Sequence, residues 1–508
     1  MKKIILGLLA GVAVVSTTHA TTYSSKNFLM ARNTLSNNAV ASSMGHSAKK
    51  KGGFGASVSA LGFYRASHND KDLAKYFGGG LASKNTQTGV IEVNKENAAS
   101  NAYWGQDIDF VSTGSKAMLG DVNLKPSREV YGVQLGYKQC LSKFVDGLWF
   151  DVDAPVVWAR STMGATITDA VANTDTGKGA TTLGVADFFA GKTLTGKATA
   201  FTQDALTKLK MDNTKHTSDV QVADVSVRVG YTFLKDADYS VDANIRMMIP
   251  TGDNPTGEWM LESIAGQAGA WQIGAGLHAG FNLWRSADKK SSLDFDVCAD
   301  YRYALEDTQK RVIGIYDTKG GHLSTQGRHS LLSKNVAVQV VPSANVLNLD
   351  VDVEGASQLD VAAGFSFACN NISGNLCYNL FANQAETVKL ASTGVWADDT
   401  YGYAQPLTAG AAAANKLATS SYSGPIQNIG VTTSDNAVTG TAVADYNIYP
   451  SAAATPAQLT HKVVSGINYS FDTATPVCIG LVGEYEFSNG NNSAVNSWMI
   501  GGKVGICF

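Results

Sequence analysis

The residues able to do chemistry in this chain are mostly acids and bases set two apart. Asp151 and Asp153, Asp294 and Asp296, and Glu484 and Glu486 each lie at every second position. In a strand that spacing puts both members on one face. Asp224, Asp242, Asp300 and Asp360 bring the acids to ten, against the six bases Arg65, Lys138, Arg228, Arg246, Arg302 and Lys503. Each sits in a stretch whose alternate positions are apolar. Ionised groups facing hydrocarbon are costly, so they imply a wet interior, where their work is electrostatic steering of a passing solute. Ten acids against six bases give a weak preference for cations, screened within about 10 Å at 0.1 M salt.

Other chemistry finds little support. The chain has neither an HExxH nor a G-x-S-x-G motif. His278 falls on a charged face, where a serine or an acid is its natural partner, but no local motif supports a hydrolase. Gly191 to Lys197 mimics a phosphate loop, yet Ala198 stands where the metal-binding hydroxyl belongs and no strand precedes it. Asp350, Asp352 and Glu354 have carboxylates suited to calcium without the spacing of an EF-hand. A solvated strand face accounts for them. No cofactor, metal site or catalytic residue is implied, and the chain reads as a non-enzyme. Its formal charge of −3 gives no reason to expect nucleic acid as a partner.

Six cysteines remain: Cys140, Cys298, Cys369, Cys377, Cys478 and Cys507. Cys478 and Cys507 flank a short loop centred near Asn492 and fall on the same face, close to opposite in an ideal hairpin. They are the candidate disulfide pair, with free packing thiols as the alternative.

The elements that position these residues read as β-strands. From residue 54 onward, stretches of alternating apolar side chains come in pairs: 54–66, 130–140, 148–160, 223–233, 239–249, 271–284, 293–305, 359–369, 375–389, 459–472, 477–488 and 496–508. Each has about the 9–11 residues that a tilted membrane-spanning strand needs. Short and long connections alternate strictly. The short turns are near 141–146, 234–238, 285–291 and 370–374, and the long regions include 161–217, 306–358 and 390–458. Short turns on one side, long loops on the other and an even strand number describe an antiparallel transmembrane β-barrel. The count is twelve. It becomes fourteen or sixteen if the hairpin-like stretch 335–353 or the strand-like stretch 101–112 enters the wall. Aromatic residues gather at strand ends (Tyr131, Trp158, Trp271, Tyr303, Phe487, Trp498), as in the girdles at the two membrane interfaces. Twelve strands exceed the roughly eight whose lumen side chains fill completely, so a water-filled passage is expected.

The amino terminus reads as a secretory signal. Lys2 and Lys3 precede an apolar run from Ile4 to Val15, and Thr18-His19-Ala20 offers small residues for cleavage after Ala20. The organisation is a signal peptide at 1–20, a polar segment at 21–52, placed in the periplasm, and the barrel at 53–508.

The last thirteen residues, from Asn496 to Phe508, alternate Trp498, Ile500, Gly502, Val504, Ile506 and Phe508 on one face with smaller or charged residues on the other. This segment resembles the C-terminal strand of Gram-negative outer-membrane β-barrel proteins, with Gly502 departing from the usual large apolar residues. The resemblance implies that Phe508 is part of the signal read by the barrel assembly machinery. It also implies a bacterial outer-membrane location, contact with outer-membrane lipid and a porin role: passive diffusion of small hydrophilic solutes and ions. Cysteines in the wall are similar to those of the disulfide-linked major outer-membrane proteins of some obligate intracellular bacteria. A homo-oligomer is compatible with this reading. The alternative is a structural or adhesive surface protein using its long loops.

Overall fold

The computed structural model describes residues 55–78, 89–93, 102–103, 119–171, 184–193, 202–317, 323–324, 329, 331–334, 339–392, 401–404, 422–427, 446–488 and 494–508. The signal peptide and the segment 21–52 lie outside these residues.

Twelve antiparallel strands form the wall: β1 (Ala56–Ser67), β2 (Ser127–Cys140), β3 (Leu148–Thr162), β4 (Val225–Lys235), β5 (Tyr239–Ile249), β6 (Gln272–Arg285), β7 (Ser291–Ala304), β8 (Ser357–Cys369), β9 (Ile372–Asn383), β10 (Gln458–Phe471), β11 (Val477–Ser488) and β12 (Ser497–Cys507). Each pairs with its sequence neighbours, and β12 pairs with β1 from Ser57↔Cys507 to Ser67↔Ser497, which closes the barrel. Closure satisfies the edge groups of both terminal strands. Phe508 completes the seam: its backbone N–H donates to Ala56 O at 2.9 Å and its carbonyl accepts from Ala56 N–H at 2.8 Å.

Alternation sets the two faces. On β5, Ile245 (68% exposed) and Met247 (40%) point outward between Asn244 and Arg246, both 7% exposed and turned in. The same outward apolar rule holds for Val133 and Leu135 on β2, Leu481 on β11 and Ile500 on β12. Rings stack around the outside near the long-loop end. Trp158, Tyr131, Tyr64 and Trp498 are linked by centroid distances of 5.4, 4.8 and 5.3 Å across β3, β2, β1 and β12.

Short turns close the opposite end. Between β2 and β3, Gly147 takes φ +86°, and a Cβ there would lie 2.4 Å from Thr232 O. Only glycine fits that approach. The β8–β9 turn is tighter than 370–374, because Cys369 pairs with Ile372 and leaves only Asn370 (φ +51°) and Asn371 between the strands. β9 accordingly ends at Asn383 rather than 389, and Thr387–Leu390 joins a loop sheet.

The loops at the other end fold together. Strands 307–312, 348–354 and 387–390 form one antiparallel sheet. Leu73 and Phe77 from a helix at Asp70–Gly78, Phe188 and Phe189, Leu206, Met260, Val312, Leu347, Val351 and Ile448 share one buried apolar core. The stretch 335–353 is not a hairpin. Gln339–Pro342 and Asn348–Glu354 are joined by a short helix and pair with different partners. Within 101–112 only Ala102–Tyr103 is described, paired with Glu92–Val93 outside the wall. The wall therefore stays at twelve.

Candidate functional site: the barrel lumen and its mouth

The inward faces of all twelve strands converge on one interior, and nearly every charged residue expected there is present and engaged. On β4, Arg228 bonds to Asp151 at 2.7 Å and Asp153 at 3.0 Å, both on β3. Arg246 of β5 reaches Asp300 of β7 at 3.4 Å, and Arg302 of β7 lies 3.9 Å from Asp360 of β8. Across the closing seam, Glu484 of β11 takes Arg65 of β1 at 2.7 Å and Lys462 of β10 at 3.2 Å. Glu486 accepts from Thr460 Oγ1 at 2.9 Å. Nearer the short-turn end, His278 of β6 is held between Asp242 of β5 at 2.9 Å and Asp296 of β7 at 3.3 Å. Asp294 accepts from Asn282 at 2.6 Å and Ser292 at 2.9 Å. Lys138 stands over the Trp149 ring at 4.8 Å, and Lys503 is half-buried on β12.

The expectation of an open, water-filled lumen meets a different interior. The side chains of Arg228, Arg246 and Arg302 are each 4% exposed, and that of Lys462 is 3%. Between the ionic groups lies an apolar layer of Leu61, Phe63, Val130, Val157, Cys298, Ala362, Cys377, Val464, Val482 and Met499. Long arginine side chains reach far enough across the interior to fill a lumen wider than aliphatic residues close. Among the described residues, the interior opens toward the short turns, where Lys138 is exposed and Asp242, Asp294 and Asp296 are partly so.

The connection between β5 and β6 enters the mouth. Ala265 packs into the lumen's apolar layer, and Ile264 O accepts from the Arg128 guanidinium on β2. Ile264, Ala265 and Ala268 are 3%, 1% and 0% exposed. Its neck is cross-tied: Asp253 N–H donates to Ala265 O at 2.8 Å, and Ala265 N–H donates to Asp253 Oδ2 at 3.0 Å.

Three expected site residues differ in role. Asp224 is not on a wall strand. It lies one residue before β4, 3% exposed, and accepts Gln267 N–H of the mouth loop at 2.7 Å. Burial pushes its carboxyl up to about 6, against the pull of N–H donors from Gln267, Gly252 and Thr251. Cys478 and Cys507 share a face but are two positions out of register. Gly505 stands opposite Cys478, and no disulfide joins the pair. The hairpin is centred slightly earlier than Asn492, which moves Cys507 opposite Pro476, whose carbonyl accepts Cys507 N–H at 3.0 Å. Lys462 and Arg128 were not expected. The parity of Thr460, Lys462 and Val464 along β10 was the available signal for the first, but Arg128 lies just before the stretch read as a strand. Asp350 and Asp352 face Lys310 and Thr308 across the loop sheet at 2.8 and 2.7 Å, and Glu354 pairs with Lys389, as a solvated strand face should.

No family model matches the chain, and no curated protein matches it. Among solved structures it is similar to an outer membrane channel from Pseudomonas putida F1, at 9% identity over 89% of this chain and 96% of that one, with a TM-score of 0.35. It is also similar to the Pseudomonas putida toluene transporter TodX (9% identity, 96% and 95% covered, TM-score 0.32) and to the beta domain of the Bordetella autotransporter Brka (8%, 90% and 99%, 0.29). Scores at this level carry none of those proteins' properties to this chain. The barrel rests on its own strand pairing.

Proposed function

We propose that the protein is an outer-membrane channel through which small hydrophilic solutes and ions diffuse passively, without a chemical step. The observation that carries this reading is the division of one closed wall into an apolar outer face and an ionised inner face. Such a wall is suited to lipid outside and polar traffic inside. In this reading the signal peptide exports the chain, the assembly machinery reads the strand ending in Phe508, and the long loops face outward. The lumen's packed middle makes the path narrow. The partly exposed Asp242, Asp294 and Asp296 outnumber Lys138 and Lys503 at the short-turn end, which favours cations weakly. Reconstitution into planar bilayers tests the reading. Discrete conductance steps, with a reversal potential displaced toward the cation more strongly at low salt than at high, support it. Absence of any step across salt, voltage and pH rejects it.

A second reading is a structural or adhesive surface protein. The observation behind it is the loop end, whose described residues build an apolar core of their own. A barrel that never conducts yet keeps a protease-resistant loop domain on cells would select this reading.

A further inference from the structure

At the loop end of β6 to β9, where the wall meets the loop domain, lies a small cavity whose polar lining is mostly amide. Gln272 of β6, Gln358 of β8, Asn383 of β9, Gln267 of the mouth loop, and Gln309 and Glu386 of the loop domain line it. Its volume is about 20 Å³, room for one occupant the size of a water molecule. Two of the amide oxygens, Gln272 Oε1 and Asn383 Oδ1, are buried and accept no hydrogen bond among the described residues. The two residues are 2% and 4% exposed. Buried acceptors without a donor are costly, so these oxygens call for a partner that the described side chains do not supply. The ionised groups beside the cavity are tied to one another. Arg311 donates to Glu386 Oε2 at 2.6 Å and to Gln309 Oε1 at 2.8 Å. Thr455 N–H donates to the same Glu386 oxygen at 2.8 Å, and Gln309 Nε2 donates to Asp307 Oδ2 at 3.3 Å. In this network two acids, Glu386 and Asp307, meet one base, Arg311, which leaves a single negative charge in excess.

We propose that this cavity binds a single monovalent cation of potassium's size, stripped of most of its water. Both orphaned atoms are oxygens, which suit a cation and repel an anion. Amide oxygens can replace a hydration shell as backbone carbonyls do in ion filters. A water molecule would also satisfy the two oxygens, but it leaves the excess negative charge unbalanced, whereas a monovalent cation cancels it. A divalent cation prefers several carboxylates, and the one carboxylate on the lining, Glu386, is already held by Arg311. A hydrated or organic cation exceeds the volume. Because Gln267 of the mouth loop and Gln272 and Asn383 of the wall all line the cavity, a cation bound there stands at the loop-side entry to the lumen. The inference deepens the channel reading by naming the permeant class and the place where it first binds. It rests on that reading for its consequence, while binding itself requires no conduction.

The test is hydrogen exchange on the full chain in lipid nanodiscs, in potassium chloride against choline chloride at equal ionic strength and pH. The amides read are those of Leu305, Gln384 and Glu386, which donate to Trp271 O, Ser357 O and Thr455 O around the cavity. Their protection should rise with potassium and not with choline, by about tenfold once potassium stands at ten times its dissociation constant. Gln272→Leu and Asn383→Leu each remove one orphaned oxygen while keeping bulk, so each should lose the potassium response. Asp350→Asn, on the solvated face of the loop sheet, should keep it. Replacing chloride by gluconate should change nothing. Equal protection of the wild type in potassium and choline overturns the site without requiring any variant to fold, and means that the cavity takes water only. A full potassium response in both leucine variants, or a response that follows the anion, overturns it as well. Potassium-dependent protection in a barrel that never conducts rejects the channel reading and leaves the site standing, whereas conduction without that protection does the reverse.

Discussion

At the scale of single residues, the lumen is a set of buried ion pairs whose members depend on one another. A buried pair is weak evidence for stability, but removing one partner strands a charge. Arg228→Met leaves Asp151 and Asp153, side by side on β3, without the guanidinium they share. This should destabilise the folded barrel by about 3 kcal/mol, read as a lower urea midpoint for loss of heat-modifiable mobility on gels. Restoring Lys at that position should recover only part, because its ammonium cannot grip two carboxylates as a guanidinium fork does. Gly266→Ala is a second residue-scale test. The added methyl meets Asp224 Oδ1 at 2.5 Å with φ at +86°, so the loop should unseat while the wall persists. The expected outcome is wild-type barrel yield, with proteolytic cutting between 254 and 268 that the wild type resists.

At the scale of elements, the closing hairpin and seam decide whether the strands become a barrel. Phe508 is the last rung between β12 and β1, and its ring is 49% exposed on the outer face. Deleting Phe508 should leave the chain degraded or stranded in the periplasm, measured by membrane fractionation. Normal outer-membrane yield would count against an assembly role for this residue. Orientation belongs to this scale too. Epitope tags at Gly179 and Ala412 should be reached by antibody on intact cells, and tags at Asp236 or Lys289 should not. The reverse pattern would turn the barrel over.

At the scale of the whole molecule, a sealed-looking interior joined to a folded loop domain predicts small conductance rather than the large steady current of an open pore. Loosening the mouth should matter more than widening the wall. Channels carrying Gly266→Ala should conduct more than wild type, because the displaced loop no longer fills the mouth. Equal conductance of the two proteins would mean that the ion-paired middle, not the mouth loop, limits flow.

What the sequence determined by itself was the wall. All twelve strands, their inward and outward faces and the alternation of short and long connections follow from a period of two, which is a local property readable without partners. The inward placement of Asp151, Arg228, Arg246, Asp300, Arg302 and Glu484 was legible for the same reason. Tertiary structure alone decided what those residues meet. Arg246 finds Asp300 two strands away, because the intervening β6 carries glycine at Gly274 and Gly276 and puts no side chain between them. Cys478 faces Gly505 rather than Cys507, because a shift of two in register preserves the face while changing the partner. The mouth loop and the apolar core of the loop domain carry no such period. Leu73, Phe188, Met260, Val351 and Ile448 come from distant loops and become one core only through closure of the barrel that gathers those loops at one end. Asp224 shows the limit most clearly. Its parity placed it in the wall, and its function as a loop anchor exists only once the chain turns back at Gly266 and brings the Gln267 N–H to its carboxylate.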